Sequence, residues 1–84
     1  MKNLDEIVIS PKGFKGFTFK RVYGDDKYYI YEQIKTESDI VYGYQLFERR
    51  TNSQYDCESW PGPEARNAWQ HFTLEEALNK IKTL

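Results

Sequence analysis

The residues best suited to chemistry are Asp56, Cys57 and Glu58, three in a row, and His71, the only histidine of the chain. Cys57 with His71 would supply a nucleophile and a base, because a thiol attacks only when a neighbouring group draws off its proton. The same four residues carry donor atoms for a metal ion. Neither arrangement has a recognised spacing, since no second cysteine or histidine completes a zinc or redox motif. A lone cysteine in a strand reads as a small buried hydrophobe. The chain also lacks a glycine-rich phosphate loop and a nucleophile elbow. The expectation is a protein that is not an enzyme and uses no metal and no cofactor.

Binding chemistry is better supplied. Seven Tyr, five Phe and two Trp make up 17% of the sequence, more than a small core obviously needs. By strand parity Tyr28, Ile30, Glu32 and Ile34 share one face, and Tyr29, Tyr31, Gln33 and Lys35 the other. In the next segment Tyr42, Tyr44 and Leu46 alternate with Val41, Gly43, Gln45 and Phe47. If one helix covers one face, at least two of Tyr29, Tyr31, Tyr42 and Tyr44 face water on one contiguous patch. Tyrosine there offers large, fairly rigid contact area with a hydrogen-bonding tip, which suits a protein partner. Self-association is the rival use of such a patch. The bland reading is that these rings are core, or sit on a wet sheet face with Tyr31 shielding Gly43.

A second surface would use Lys20, Arg21, Arg49 and Arg50 beside the aromatic rings, a platform on which bases stack while cations track phosphates. Twelve Lys and Arg against thirteen Asp and Glu give a net charge of −1, which disfavours a protein devoted to neutralising phosphates. Nucleic acid is therefore the alternative partner, and another protein the leading one.

These residues must be positioned by a few short elements. Residues 4 to 9, 14 to 23, 27 to 35 and 40 to 49 read as strands, separated by Pro11-Lys12-Gly13, Gly24-Asp25-Asp26 and Thr36-Glu37-Ser38-Asp39. A weaker strand spans 53 to 60, and the two prolines of Trp60-Pro61-Gly62-Pro63 break it. Residues 64 to 70 read as a helical turn or an irregular crossing. Trp60, Trp69 and Phe72 are expected to close the sheet against the helix. Thr73-Leu74-Glu75-Glu76 has the form of a capping box, followed by Leu74, Ala77, Leu78 and Ile81 at helical spacing. The expected fold is α+β: an antiparallel meander of three to four strands packed on one C-terminal helix, in one domain spanning 1–84.

The opening stretch has a three-residue apolar run broken early by Asp5 and Glu6, unlike a signal peptide, and no segment has the length to cross a bilayer. One cysteine makes an internal disulfide impossible. A free thiol suits a reducing compartment, so the expected location is the cytoplasm, away from the membrane.

The Tyr-rich hairpin (Tyr28-Tyr29-Ile30-Tyr31-Glu32, then Tyr42-Gly43-Tyr44-Gln45-Leu46-Phe47), the Trp-containing connection and the terminal Thr73-Leu74-Glu75-Glu76-Ala77-Leu78 helix resemble small uncharacterised proteins of phages and mobile elements. The resemblance covers roughly residues 27 to 84. It implies an accessory protein that binds and blocks a host or defence protein, as anti-CRISPR proteins do, and it transfers no site residues.

Overall fold

The computed structural model describes residues 3–52, 54, 57–61 and 67–84. Four strands run in sequence: β1 (Ile7–Ile9), β2 (Phe17–Gly24), β3 (Tyr28–Lys35) and β4 (Ile40–Glu48). A small ribbon of β5 (Thr51–Asn52) and β6 (Cys57–Glu58) follows, then β7 (Ala68–His71) and the helix α1 (Leu74–Ile81). The main sheet is open and antiparallel, with five strands in the order β1-β2-β3-β4-β7. The class is α+β as expected, with an extra strand beyond the three to four expected.

That extra strand is β7. Residues 64 to 70 read as a turn or crossing because two prolines precede them and the segment is short. In the structure Ala68–His71 pairs with Tyr44–Phe47 in antiparallel register. Residues 53, 55, 56 and 62–66 lie outside the described residues, and so do parts of the expected 53–60 strand and the proline turn.

Local chemistry fixes the turns. The Asp25 carboxylate accepts from the Lys27 and Tyr28 amides at 2.8 and 2.7 Å, an Asx-type turn that starts β3. Between β3 and β4 the Ser38 and Asp39 amides both donate to the Lys35 carbonyl, and Asp39 takes a positive φ of 55°. Thr73 caps α1 by accepting from the Glu76 amide at 3.1 Å. This is the backbone half of the expected capping box, and it satisfies one of the orphan donors of the first turn.

The sheet has a hydrophobic cluster on each face. On the helix face Tyr28, Ile30, Leu46 and Ala77 are buried, with Tyr23, Tyr44, Trp69, Leu74, Leu78 and Ile81 packed around them. This is the stripe read from the helical spacing. On the opposite, aromatic face Phe19, Tyr29, Tyr31 and Phe47 are buried beneath Leu4, Val8, Phe14, Phe17, Trp60 and Ala68. Here the premise of one cover and one wet face is corrected. The second face is covered by the chain around β1 and by the Trp60 segment, which have no periodic pattern to announce them. Trp60 is the hub, with ring centroids 4.7, 5.0 and 5.1 Å from Phe19, Tyr31 and Phe47.

Candidate protein-binding surface

Parity alone places Tyr29 and Tyr31 of β3 together, and the β3–β4 register puts them opposite Phe47 and Gln45. Both rings are core. Tyr31 has no exposure and Tyr29 only 2%. Their hydroxyls explain why tyrosine is accepted so deep. Tyr31 donates to the Asp5 carbonyl at 2.6 Å, and Tyr29 donates to Glu58 Oε1 at 2.6 Å. Burial pushes the Tyr31 phenol up to about 12, so it stays a donor throughout the neutral range. The expectation that these two form a binding patch is therefore corrected: their apolar bodies and polar tips are both satisfied inside the monomer.

Glu58 organises this corner. Its carboxylate accepts from Tyr29, from the Leu4 amide at 3.0 Å and from Arg49 Nε at 2.8 Å. Burial opposes its charge, but the bonds from Arg49, Tyr29 and Leu4 outweigh it and hold the carboxyl below its ordinary range. The Arg49 guanidinium also donates to the Asp25 carbonyl at 2.6 Å and lies 4.5 Å from the Tyr29 ring centroid. Arg21 lies 4.9 Å from the same centroid. The two arginines border an open cleft of about 490 Å³ with Tyr23, Asp25, Asp26 and Tyr29.

This arrangement bears on the basic residues named from the sequence. Arg21 and Arg49 come together over Tyr29, but Arg49 is committed to Glu58 and Asp25 shares the cleft. Lys20 pairs with Ile7 and Glu32, in the register positions of the helix face, whereas Arg21 pairs with Tyr31 on the aromatic face. Arg50 is exposed beyond β4. The four do not form one basic platform, and the ring between Arg21 and Arg49, that of Tyr29, is buried.

Tyr42 and Tyr44 differ again. The ladder jumps from Gln33↔Gly43 to Ile34↔Val41, so Tyr42 is the extra residue of a β-bulge. The bulge breaks the parity that would put Tyr42 with Tyr44. The Tyr42 ring instead meets Phe17, at 5.3 Å between centroids, while Tyr44 packs in the helix-face cluster and donates to Glu32 at 3.2 Å. The four tyrosines therefore form no single patch. Gly43 is shielded by Gln70, with the His71 carbonyl 2.8 Å from where a Cβ would stand, and not by Tyr31.

A different surface emerges at the hairpin end of the sheet. β7 pairs only with Tyr44–Phe47, so the outer edge of β4 from Ile40 to Gly43 has no neighbouring strand among the described residues. Ile40, Val41 and Tyr42 are 61%, 45% and 55% exposed. Phe72, which follows directly on β7, is 84% exposed, contrary to the expectation that it closes the core. Among the described aromatic residues Tyr42 and Phe72 are the two that are exposed. Tyr42 is exposed on the side of Tyr31, as the sequence suggests, but apart from Tyr44, and Phe72 is not the core residue expected from its type. No periodic signal separates Phe72 from Trp69, because what exposes it is the turn into the Thr73 cap.

Cys57 and His71 sit in different sheets. Cys57 belongs to the β5–β6 ribbon, His71 ends β7 in the main sheet, and Glu58 is engaged by Arg49, Tyr29 and Leu4. Asp56 lies outside the described residues. Among the described residues no group of three or more His, Cys, Asp or Glu side chains is placed to hold a metal. No helix among them is long and apolar enough to cross a membrane. No protein-family model, curated protein or solved structure matches the chain.

Proposed function

We propose that the protein is a non-catalytic binding module that docks another protein at the hairpin end of its sheet, through Tyr42, Ile40 and Phe72. The observation that supports this is selective exposure. A chain with scarce core volume buries or half-buries every other described aromatic ring yet leaves these two in water. Exposed aromatic side chains are common anchors of protein interfaces. The bulge at Tyr42 disfavours simple strand addition there, so the contact is made by side chains. The layout of hairpin and terminal helix supports, by resemblance, a role as a phage or mobile-element accessory protein that inhibits a host or defence protein in the cytoplasm.

The test is affinity capture from a bacterial lysate with the wild type and with Tyr42→Ser/Phe72→Ser, followed by titration of whatever the wild type alone retains. The reading expects loss of the partner in the variant at an unchanged melting temperature. It also expects weak salt dependence of binding, whereas a phosphate-bound partner would be lost steeply as salt rises.

A further inference from the structure

At the opposite side of the sheet, β1 is an edge strand of a different character. Its neighbour β2 pairs with it through Ile7↔Lys20, Val8↔Phe19 and Ile9↔Thr18. Just outside these pairs, the Arg21 amide donates to the Glu6 carbonyl and the Ser10 amide donates to the Phe17 carbonyl, both at 2.8 Å. Hydrogen-bonded pairs alternate along an antiparallel ladder, so Glu6, Val8 and Ser10 turn their backbone groups toward β2. Ile7 and Ile9 consequently turn theirs outward, where no strand lies among the described residues. Val8 points into the aromatic core, while the Ile7 and Ile9 side chains are 55% and 68% exposed, beyond the reach of α1.

We propose that β1 pairs with β1 of a second copy, antiparallel about a two-fold axis at Val8. Ile7 of each chain then lies opposite Ile9 of the other, and each such pair exchanges two backbone hydrogen bonds through the outward-facing groups. The register is selected by the sequence on either side. A slip toward the C-terminal end sets Ile7 against Pro11, which has no amide to donate. A slip toward the N-terminal end sets Ile9 against Asp5, whose carbonyl is already taken by Tyr31. Charge agrees with the same register. Asp5 and Glu6 precede the strand and Lys12 follows it, all exposed, so antiparallel pairing brings the acidic end of one copy to the basic end of the other. The contact is isologous and closed, which limits assembly to two copies. It joins the two sheets into one and sets two Ile7–Ile9 cross-strand pairs side by side on the helix faces.

Molar mass by light scattering and sedimentation, over about a hundredfold range of concentration, tests this directly. The wild type is expected to reach the mass of two chains and to melt at a temperature that rises with concentration. Ile9→Pro removes an outward amide that β2 does not use, and is expected to weaken the dimer at least about tenfold. Ile7→Lys/Ile9→Lys provides a second variant that changes only exposed side chains, and its mass is expected to fall to one chain with an unchanged far-ultraviolet circular dichroism spectrum. Glu6→Lys is expected to weaken pairing and Glu6→Lys/Lys12→Glu to restore it. A wild type that stays monomeric throughout overturns the proposal, as does a dimer that survives the double lysine change. A dimer lost in Tyr42→Ser/Phe72→Ser but kept in Ile7→Lys/Ile9→Lys also overturns it, placing self-association at the hairpin end instead.

Discussion

Tyr31 and Tyr42 lie on the same side of the same hairpin, the first with no exposure and the second 55% exposed. At the centre of the sheet Tyr31 is enclosed by Trp60 and Phe47, and the Asp5 carbonyl accepts its hydroxyl. At the hairpin end Tyr42 has Phe17 on one side and water on the other. A tyrosine's role here is decided less by its own strand than by the segment that crosses over it. The covering segments at the centre come from residues far away in sequence, such as Leu4 and Trp60. Nothing among the described residues crosses the end.

The contrast predicts a graded set of responses. Removing α1 by ending the chain at Phe72 should have the largest effect. It uncovers Tyr28, Ile30 and Leu46, and it discards Leu74, Leu78 and Ile81, each worth up to about 1.5–3 kcal/mol when fully buried. A small domain has little more stability than that in total. The shortened chain should show no cooperative thermal transition, and one resembling the full protein's would break the contrast.

Glu58→Gln should come next, because it removes the buried charge partner of Arg49, whose own side chain is partly exposed. Its pH signature is specific. The folded state holds the Glu58 carboxyl below its ordinary range, so its contribution is present above the unfolded carboxyl's pKa and is lost as pH falls through the lower folded value. Urea midpoints of the wild type should therefore decline as pH falls from about 5 toward 3 more steeply than those of Glu58→Gln. Parallel declines would remove Glu58 as the anchor of the aromatic face.

Thr73→Ala should cost about 1 kcal/mol by freeing the Glu76 amide, read as a small drop in melting temperature. It should leave partner binding intact, although Phe72 is its neighbour. Loss of binding would show that the cap itself presents Phe72.

The sequence carried the helix, an antiparallel meander of three to four strands and the faces of β3 because their periodicities are local. It carried Tyr42 and Tyr44 less well, since a one-residue bulge inverts parity and no residue type marks its position. β7 was illegible for a similar reason: its four residues become a strand only because β4 offers them an edge. Glu58 lay among the candidate chemical groups, but its partners Leu4, Tyr29 and Arg49 are distant in sequence and only the fold assembles them. Phe72 had no signal at all beyond its type.

The most direct test sets Tyr31→Ser beside Tyr42→Ser, measuring unfolding free energy and affinity for the captured partner in the same preparations. The account predicts that Tyr31→Ser loses about 3–5 kcal/mol of stability through the cavity under Trp60. It predicts that Tyr42→Ser keeps its stability within about 0.5 kcal/mol of the wild type, as exposed substitutions do, and loses the partner. A Tyr42→Ser protein that binds as the wild type does, or that is destabilised as much as Tyr31→Ser, would contradict it.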